Sequence, residues 1–264
     1  MAQPAGRARR TLPHTPRTGE VAVTAALGRR GLLTRLLPDD VMVSELFTDP
    51  PDVALFPQEA EVVAGAVEAR RREFATVRRC ARTALARLGV APGPILPARE
   101  GPPWAHRAPK WPDGVVGSMT HCDGYRAAAV ARRPAVASVG VDAEPNAPVP
   151  DGVAELVMLP EERGILERLV VAEPAIAWDR LLFSAKESVF KAWYPLTGRW
   201  LDFSECVIEP DPVRGTFTGT LKVPGPVVSG KRIDRFEGRW RSLAGEGPGH
   251  LATAVVVRGR GPLC

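Results

Sequence analysis

From Trp178 to Trp193 the apolar residues Trp178, Leu182, Ala185, Val189, Ala192 and Trp193 recur at three- and four-residue steps. That spacing predicts an amphipathic helix, ending at Pro195, whose apolar stripe has to be laid on a packed face elsewhere in the chain. The opposite stripe carries Arg180, Ser184, Glu187 and Lys191. Side chains four apart stand one above the other, so the Glu187 carboxylate and the Lys191 ammonium point to the same side. Taken alone, such a pair is a solvated surface ion pair contributing about 0.2 to 0.5 kcal/mol. A second motif is needed before it means more.

That motif lies about forty residues upstream, in Ala137-Ser138-Val139-Gly140-Val141-Asp142-Ala143-Glu144-Pro145. Small and β-branched residues followed by proline predict a strand ending at Glu144, and its two-residue period puts Asp142 and Glu144 on one face. Two carboxylates on one face repel unless a cation joins them. A hard divalent ion such as magnesium takes oxygen ligands and relies on one or two carboxylates plus substrate phosphates. With Glu187 added, the residues make a candidate metal site; without it they are a strand end with two solvated acids.

Composition narrows the partners. The 264 residues contain 35 Lys plus Arg against 30 Asp plus Glu, a formal charge of +5 that suits anionic partners without requiring nucleic acid. The cysteines Cys80, Cys122, Cys206 and Cys264 are far apart and lack zinc-ligand spacing, so reduced thiols and a cytoplasmic setting are expected. There is no apolar run long enough to span a membrane. Residues 1–28, with Arg7, Arg9 and Arg10 among prolines, are expected to be a disordered basic tail.

After a short apolar segment at 32–43 and a proline-interrupted stretch, helical spacing runs from about Gln58 to Leu88, with Gly65 able to bend or break it and Gly89 as the stop. Seven arginines lie along it: Arg70, Arg71, Arg72, Arg78, Arg79, Arg82 and Arg87. Within the helix no acid follows Glu73, which leaves a one-sign patch able to hold a phosphate through forked guanidinium contacts, although most such charges only solvate a face. A loop at 91–112 contains Arg107 and Lys110. Strands at 115–121 and 125–131 meet across the Asp123-Gly124 turn, with Thr120 and His121 at the strand end. A lone histidine beside a turn is usually structural.

Arg132-Arg133-Pro134 breaks the pattern and is the expected boundary between an N-terminal half, 29–133, and a C-terminal half, 134–264. The second half reads as a helix at 154–170, the Glu187 helix, and strands near 203–208, 216–223, 235–243 and 250–257. The last strand faintly echoes 117–131. The expected fold is α+β, a pseudo-twofold monomer in which each half packs one long helix on a small antiparallel sheet.

The segments Arg72-Glu73-Phe74 with Cys80-Ala81-Arg82, Gly117-Ser118-Met119-Thr120-His121-Cys122, Gly140-Val141-Asp142-Ala143-Glu144 and Ser184-Ala185-Lys186-Glu187-Ser188-Val189-Phe190-Lys191 occur in an order and at spacings that resemble the Sfp-type 4′-phosphopantetheinyl transferases. The resemblance leans to the branch associated with enterobactin and other peptide siderophores. It implies coenzyme A and magnesium in a cleft between the halves, and transfer of the phosphopantetheine arm to a serine of an acyl, peptidyl or aryl carrier protein, releasing adenosine 3′,5′-bisphosphate. It further implies Asp142, Glu144 and Glu187 as magnesium ligands, and Lys191 on the pyrophosphate. His121 and Thr120 would contact coenzyme A phosphates, and Glu187, Lys191 and His121 form the catalytic set. One or more of Arg70, Arg72, Arg78 and Arg82 would clamp the 3′-phosphate. Arg107 or Lys110 would supply a further basic contact.

Two other classes fit parts of the chain. A non-catalytic coenzyme A-binding protein or carrier-protein adaptor needs the arginine helix but not three acids with Lys191. A nucleic-acid module needs a recognition motif or an aromatic stacking platform, and neither is present. Deleting residues 1–28 is expected to leave the folded protein and its activity intact, because that composition buries little apolar surface. Loss of the cooperative thermal transition in the truncated chain would overturn this reading.

Overall fold

The computed structural model describes residues 31–98, 102, 108–245 and 247–260. The expected tail therefore lies outside the described residues, as do Arg107 and Cys264. From Leu32 onward the chain forms one compact unit.

Two antiparallel sheets organise it. The first has the order β1-β3-β2, built from β1 (Val41–Leu46), β2 (Val115–Cys122) and β3 (Tyr125–Arg132). Cys122 pairs with Tyr125, so Asp123 and Gly124 make the tight turn, and Gly124 takes a φ of 68°. The second has the order β4-β10-β9-β6-β5, from β4 (Val136–Pro145), β5 (Cys206–Asp211), β6 (Thr216–Leu221), β9 (Arg235–Gly245) and β10 (Gly247–Arg258). A small ribbon joins β7 (Val227–Val228) to β8 (Lys231–Arg232). The expected α+β class is the observed one.

β3 is buried on both faces. Ala128 and Val130 pack under Cys80, Ala81, Ala84 and Leu85 of helix α2 (Glu68–Arg87). Ala127, Ala129 and Ala131 point the other way, into a cluster with Val139, Val141 and Ala143 of β4 and Ala252 and Ala254 of β10. Alternation along one strand thus joins a helix layer to the second sheet, and alanine keeps both spacings short. The expected halves meet in this shared core, and their sheets differ in size, three strands against five. Between the sheets, β2 reaches β4 through side chains: the Val141 N–H donates to Ser118 Oγ at 3.1 Å and the Ala143 N–H to Thr120 Oγ1 at 3.0 Å.

The helix expected over 58–88 is two: α1 (Pro57–Val62) and α2, separated by a turn around Gly65. The helix expected over 154–170 is also two, α3 (Val153–Val157) and α4 (Pro160–Ala172). Pro160 forces Leu159 into extended backbone, with ψ at 154°, and then opens α4 at a position where its missing N–H costs nothing. Helix α5 (Trp178–Thr197) passes Pro195 by two residues and ends at Gly198 in the left-handed region. Phe203–Glu205 is a 3₁₀ turn ahead of β5 rather than strand.

A buried ion pair fastens α5 to α4. Lys186 Nζ donates to Glu162 Oε2 at 2.9 Å and to the carbonyls of Val157 and Phe203 at 2.8 and 2.9 Å. Glu162 in turn accepts the Leu159 and Ile208 N–H groups. Breaking a fully hydrogen-bonded buried pair strands the other charge, so Glu162→Gln is expected to lower unfolding stability by about 3 to 5 kcal/mol in urea denaturation, with partial recovery in the Glu162→Gln/Lys186→Met double variant. A loss below about 1 kcal/mol, the range of a surface pair, would show that the contact is incidental.

Candidate active site

The site begins with a glycine. On the face of β4 that carries Ser138, Gly140, Asp142 and Glu144, the first two are small because α5 lies directly on them. A Cβ at Gly140 would sit 2.0 Å from the Ser188 carbonyl oxygen and 2.6 Å from the Ala192 nitrogen. Ser138 Oγ donates to the Ala192 carbonyl at 2.8 Å. This approach sets the next acid on the strand against the polar stripe of the helix. Lys191 Nζ donates to Asp142 Oδ1 at 2.7 Å and to the Val141 carbonyl at 3.2 Å, while Thr120 Oγ1 donates to the same Asp142 oxygen at 3.2 Å.

Glu144, two residues on, is held by Arg180 Nη1 at 3.1 Å. Arg180 also donates to the Ala147 and Pro148 carbonyls, which ties the segment after β4 to the start of α5. Burial, then the charge of Asp142, push the Glu144 carboxyl up to about 7, against the pull of Arg180 and Lys191. Burial works to lower the Lys191 pKa, but Asp142, then Glu187, and Glu144 outweigh it and the ammonium is raised. Cys122 is pushed up to about 12 by burial and by Glu144 and Asp142, which leaves an inert thiol.

Among the described residues no three His, Cys, Asp or Glu side chains are gathered closely enough to hold a metal ion. Lys191 pairs with Asp142 and Arg180 with Glu144, so each of these two acids meets a protein cation. Asp142 Oδ2 is nonetheless buried without a hydrogen-bond partner, and the donors are all carboxylate oxygens. That donor set suits a hard divalent cation.

On the other side of Thr120 lies a basic cluster. Arg70 Nη1 is 2.9 Å from His121 Nε2 and 3.2 Å from Glu73 Oε2. Arginine can only donate, so Nε2 of His121 must accept and the ring proton sits on Nδ1. That edge faces Glu73 Oε2 at 3.8 Å. Burial first, then Arg70, with Arg126 and Lys191 adding and Glu73 opposing, holds the imidazole pKa well below its ordinary value.

The other helix arginines differ in where they are committed. Arg82 donates to both oxygens of the wholly buried Glu59, at 3.0 and 2.8 Å, and to the Ala54 carbonyl. The expectation of no acid partner beyond Glu73 is thus corrected: Glu59 arrives from α1, outside the helix, and gives Arg82 a structural role. Arg78 is buried, its Nε on the Ile95 carbonyl and its guanidinium 3.6 Å over the Phe74 ring. Burial, countered by Glu59 and aided by Arg70 and Arg82, brings it down to about 10, still charged at neutral pH. Arg72 is exposed beside Pro50 and Pro51. Lys110 is exposed ahead of β2, its backbone N–H on the Leu96 carbonyl.

Comparison with known proteins shows the family. The 4′-phosphopantetheinyl transferase N-terminal domain matches residues 58–131, and the 4′-phosphopantetheinyl transferase superfamily matches residues 138–227. The chain is 58% identical over 229 residues to 4′-phosphopantetheinyl transferase Svp of Streptomyces mobaraensis, covering 86% of this chain and 89% of that one. It is 46% identical over 234 residues to 4′-phosphopantetheinyl transferase PptT of Mycobacterium tuberculosis, covering 86% and 98%. The chain belongs to the 4′-phosphopantetheinyl transferases. The lean toward the enterobactin branch is corrected by the same comparison, since enterobactin synthase component D of Salmonella typhi is 37% identical over only 89 residues, a third of this chain.

Three of the transferase's site contacts escaped sequence reasoning. Arg126 Nη2 donates to Asp49 Oδ2 at 2.8 Å and to Glu73 Oε1 at 3.4 Å, and nothing in the alternation of β3 marks it. Arg180 was visible on the polar stripe of α5 but its partner was not. Glu73 was visible only as part of a motif. For His121 the sign is set by its depressed pKa: the neutral ring favours the fold above the unfolded value of about 6.5, and that contribution is lost as pH falls through the folded value. The wild-type transferase is expected to lose more stability than His121→Gln between pH 7 and pH 5 in denaturant titrations. Equal losses would refute the assignment.

Proposed function

We propose that this transferase moves the 4′-phosphopantetheine arm of coenzyme A onto a serine of an apo carrier protein of nonribosomal peptide, polyketide or fatty-acid synthesis, in the cytoplasm, and releases adenosine 3′,5′-bisphosphate. The observation that carries this reading is the juxtaposition across Thr120 of an acid pair, Asp142 and Glu144, with a basic cluster, Arg70 and His121. One side suits a metal-bound pyrophosphate and the other a phosphate. Magnesium, when bound by Asp142 and Glu144 with Glu187, supplies charge neutralisation at the pyrophosphate.

The chain's own residues do the rest. Lys191, whose raised pKa keeps it charged, exchanges Asp142 for a pyrophosphate oxygen and stabilises the negative charge that develops there. The serine oxygen bonds to the β-phosphorus as the pyrophosphate bridge breaks toward the nucleotide, and the serine proton passes to Glu187 directly or through one water. Arg70 is the helix arginine whose position best supports phosphate binding, because it already touches His121. Arg78, with Nε used, retains its Nη pair as a second donor edge.

Glu187→Gln is expected to reduce turnover by about 10² to 10⁴, the range of a lost acid–base group. Isothermal titration of magnesium with coenzyme A present, beside single-turnover rates followed by mass spectrometry of the carrier protein, separates base from ligand: weakened metal binding with partial rescue by added metal marks ligation. Near-normal turnover with unchanged metal affinity would leave α5 with a solvated polar face and remove the proposal.

A further inference from the structure

The carboxylate of Glu73 has an environment that a surface acid on a helix does not need. Its side chain is 27% exposed and sits between three groups from three elements. Oε2 accepts from Arg70 Nη1 of the same helix at 3.2 Å and faces the Nδ1 edge of His121 from β2 at 3.8 Å. Oε1 accepts from Arg126 Nη2 of β3 at 3.4 Å. Arg126 is itself fixed: the same Nη2 donates to Asp49 at 2.8 Å, and Nη1 donates to the Cys122 and Tyr125 carbonyls. A chain of contacts therefore runs Asp49, Arg126, Glu73, His121, and it ends on the ring expected to meet a phosphate.

In the resting arrangement His121 presents the wrong atom to an anion. Nε2 carries a lone pair and spends it on Arg70, while the only ring proton faces Glu73. A phosphate oxygen cannot be bound by a lone pair. If Arg70 turns its Nη1 to the phosphate, Nε2 is freed and can take a proton from solvent. The doubly protonated ring then donates through Nε2 to the phosphate and through Nδ1 to Glu73. We infer that Glu73 is a positioning residue that converts the Arg70–His121 contact into a two-donor phosphate clamp, by holding Nδ1–H of His121 while Nε2 is protonated. This rests on the proposed reading that coenzyme A phosphates bind beside His121.

The groups facing the ring decide the direction. Arg70, Arg126 and Lys191 oppose a charge on it, and Glu73 favours one. An incoming phosphate adds a second favourable charge and draws Arg70 to itself. Both are needed, since either anion alone faces three cations that repel an imidazolium.

The test uses Glu73→Gln, which keeps the size and one acceptor oxygen for Arg70. Nitrogen-15 NMR of the histidine rings, with His121→Gln to assign the signal, is recorded at pH 6.5 with and without coenzyme A. The wild-type ring is expected to pass from the neutral Nδ1–H form to the doubly protonated form on binding, and the Glu73→Gln ring to stay neutral. The KM for coenzyme A should rise about tenfold, the equivalent of one unit of lost pKa linkage, with kcat little changed. Removing a negative charge near a phosphate without any positioning effect would instead lower KM, so the sign of the change decides. Dephospho-coenzyme A in a parallel titration tells the 3′-phosphate from the pyrophosphate as the bound group. A wild-type ring that stays neutral while coenzyme A binds, or a KM that falls in Glu73→Gln, overturns the inference; absence of coenzyme A binding to the wild type overturns the functional reading beneath it.

Discussion

The close approach of α5 to β4 is the contact on which the site depends. With no side chain at Gly140, the Ser188 carbonyl and the Ala192 nitrogen come within a distance that a Cβ could not tolerate. Helix and strand are then near enough for Lys191 to reach Asp142, and the hydroxyls of Ser118 and Thr120 carry the first sheet onto the far edge of the same strand. One strand thereby takes a helix, a second sheet and a pair of acids within ten residues. Shifting its register by one would turn Asp142 and Glu144 into the alanine and valine cluster and lose all of this at once.

Charge is managed by pairing in two distinct ways. Lys186–Glu162 and Arg82–Glu59 are saturated with hydrogen bonds, including backbone donors or acceptors, and fasten one element to another. Such pairs trade desolvation against geometry and serve the fold. Lys191–Asp142 leaves oxygen capacity unused, since Asp142 Oδ2 is buried without a hydrogen-bond partner, and beside it burial and the Asp142 charge raise the Glu144 carboxyl. Unsaturated pairs at a cleft can exchange partners when a ligand arrives, whereas saturated ones cannot. The basic cluster at Arg70 and His121 follows the second pattern.

The elements that sequence periodicity recovered are those with strong local signals: the stripe of α5, the Asp123-Gly124 hairpin and the acid-bearing strand. Helix ends were placed less well where a proline both stops and starts structure. Pro160 divides α3 from α4 although the apolar spacing runs through it, and the turn at Gly65 divides α1 from α2. β1 was hidden in a segment read only as apolar, because Val41 and Val43 alternate over too few residues to announce a strand. Of the site, Asp142, Glu144, Thr120, His121 and Lys191 could be picked out by residue type and spacing, while Arg126 and Asp49, 77 positions apart in sequence, could not.

By itself the amino-acid order determined the family, the α+β class and the identity of the chemical groups, since ordered motifs, periodicity and turn residues are properties of neighbouring positions. Tertiary structure alone decided which of those groups face one another. It set Arg82 on Glu59, placed two protein cations among the acids expected to converge, and joined Asp49 to Glu73 through Arg126 and Glu73 to His121. The reason is physical: a charge's partner is chosen by distance and desolvation in three dimensions, and a chain folded through two sheets brings together carboxylates and cations that no local spacing relates.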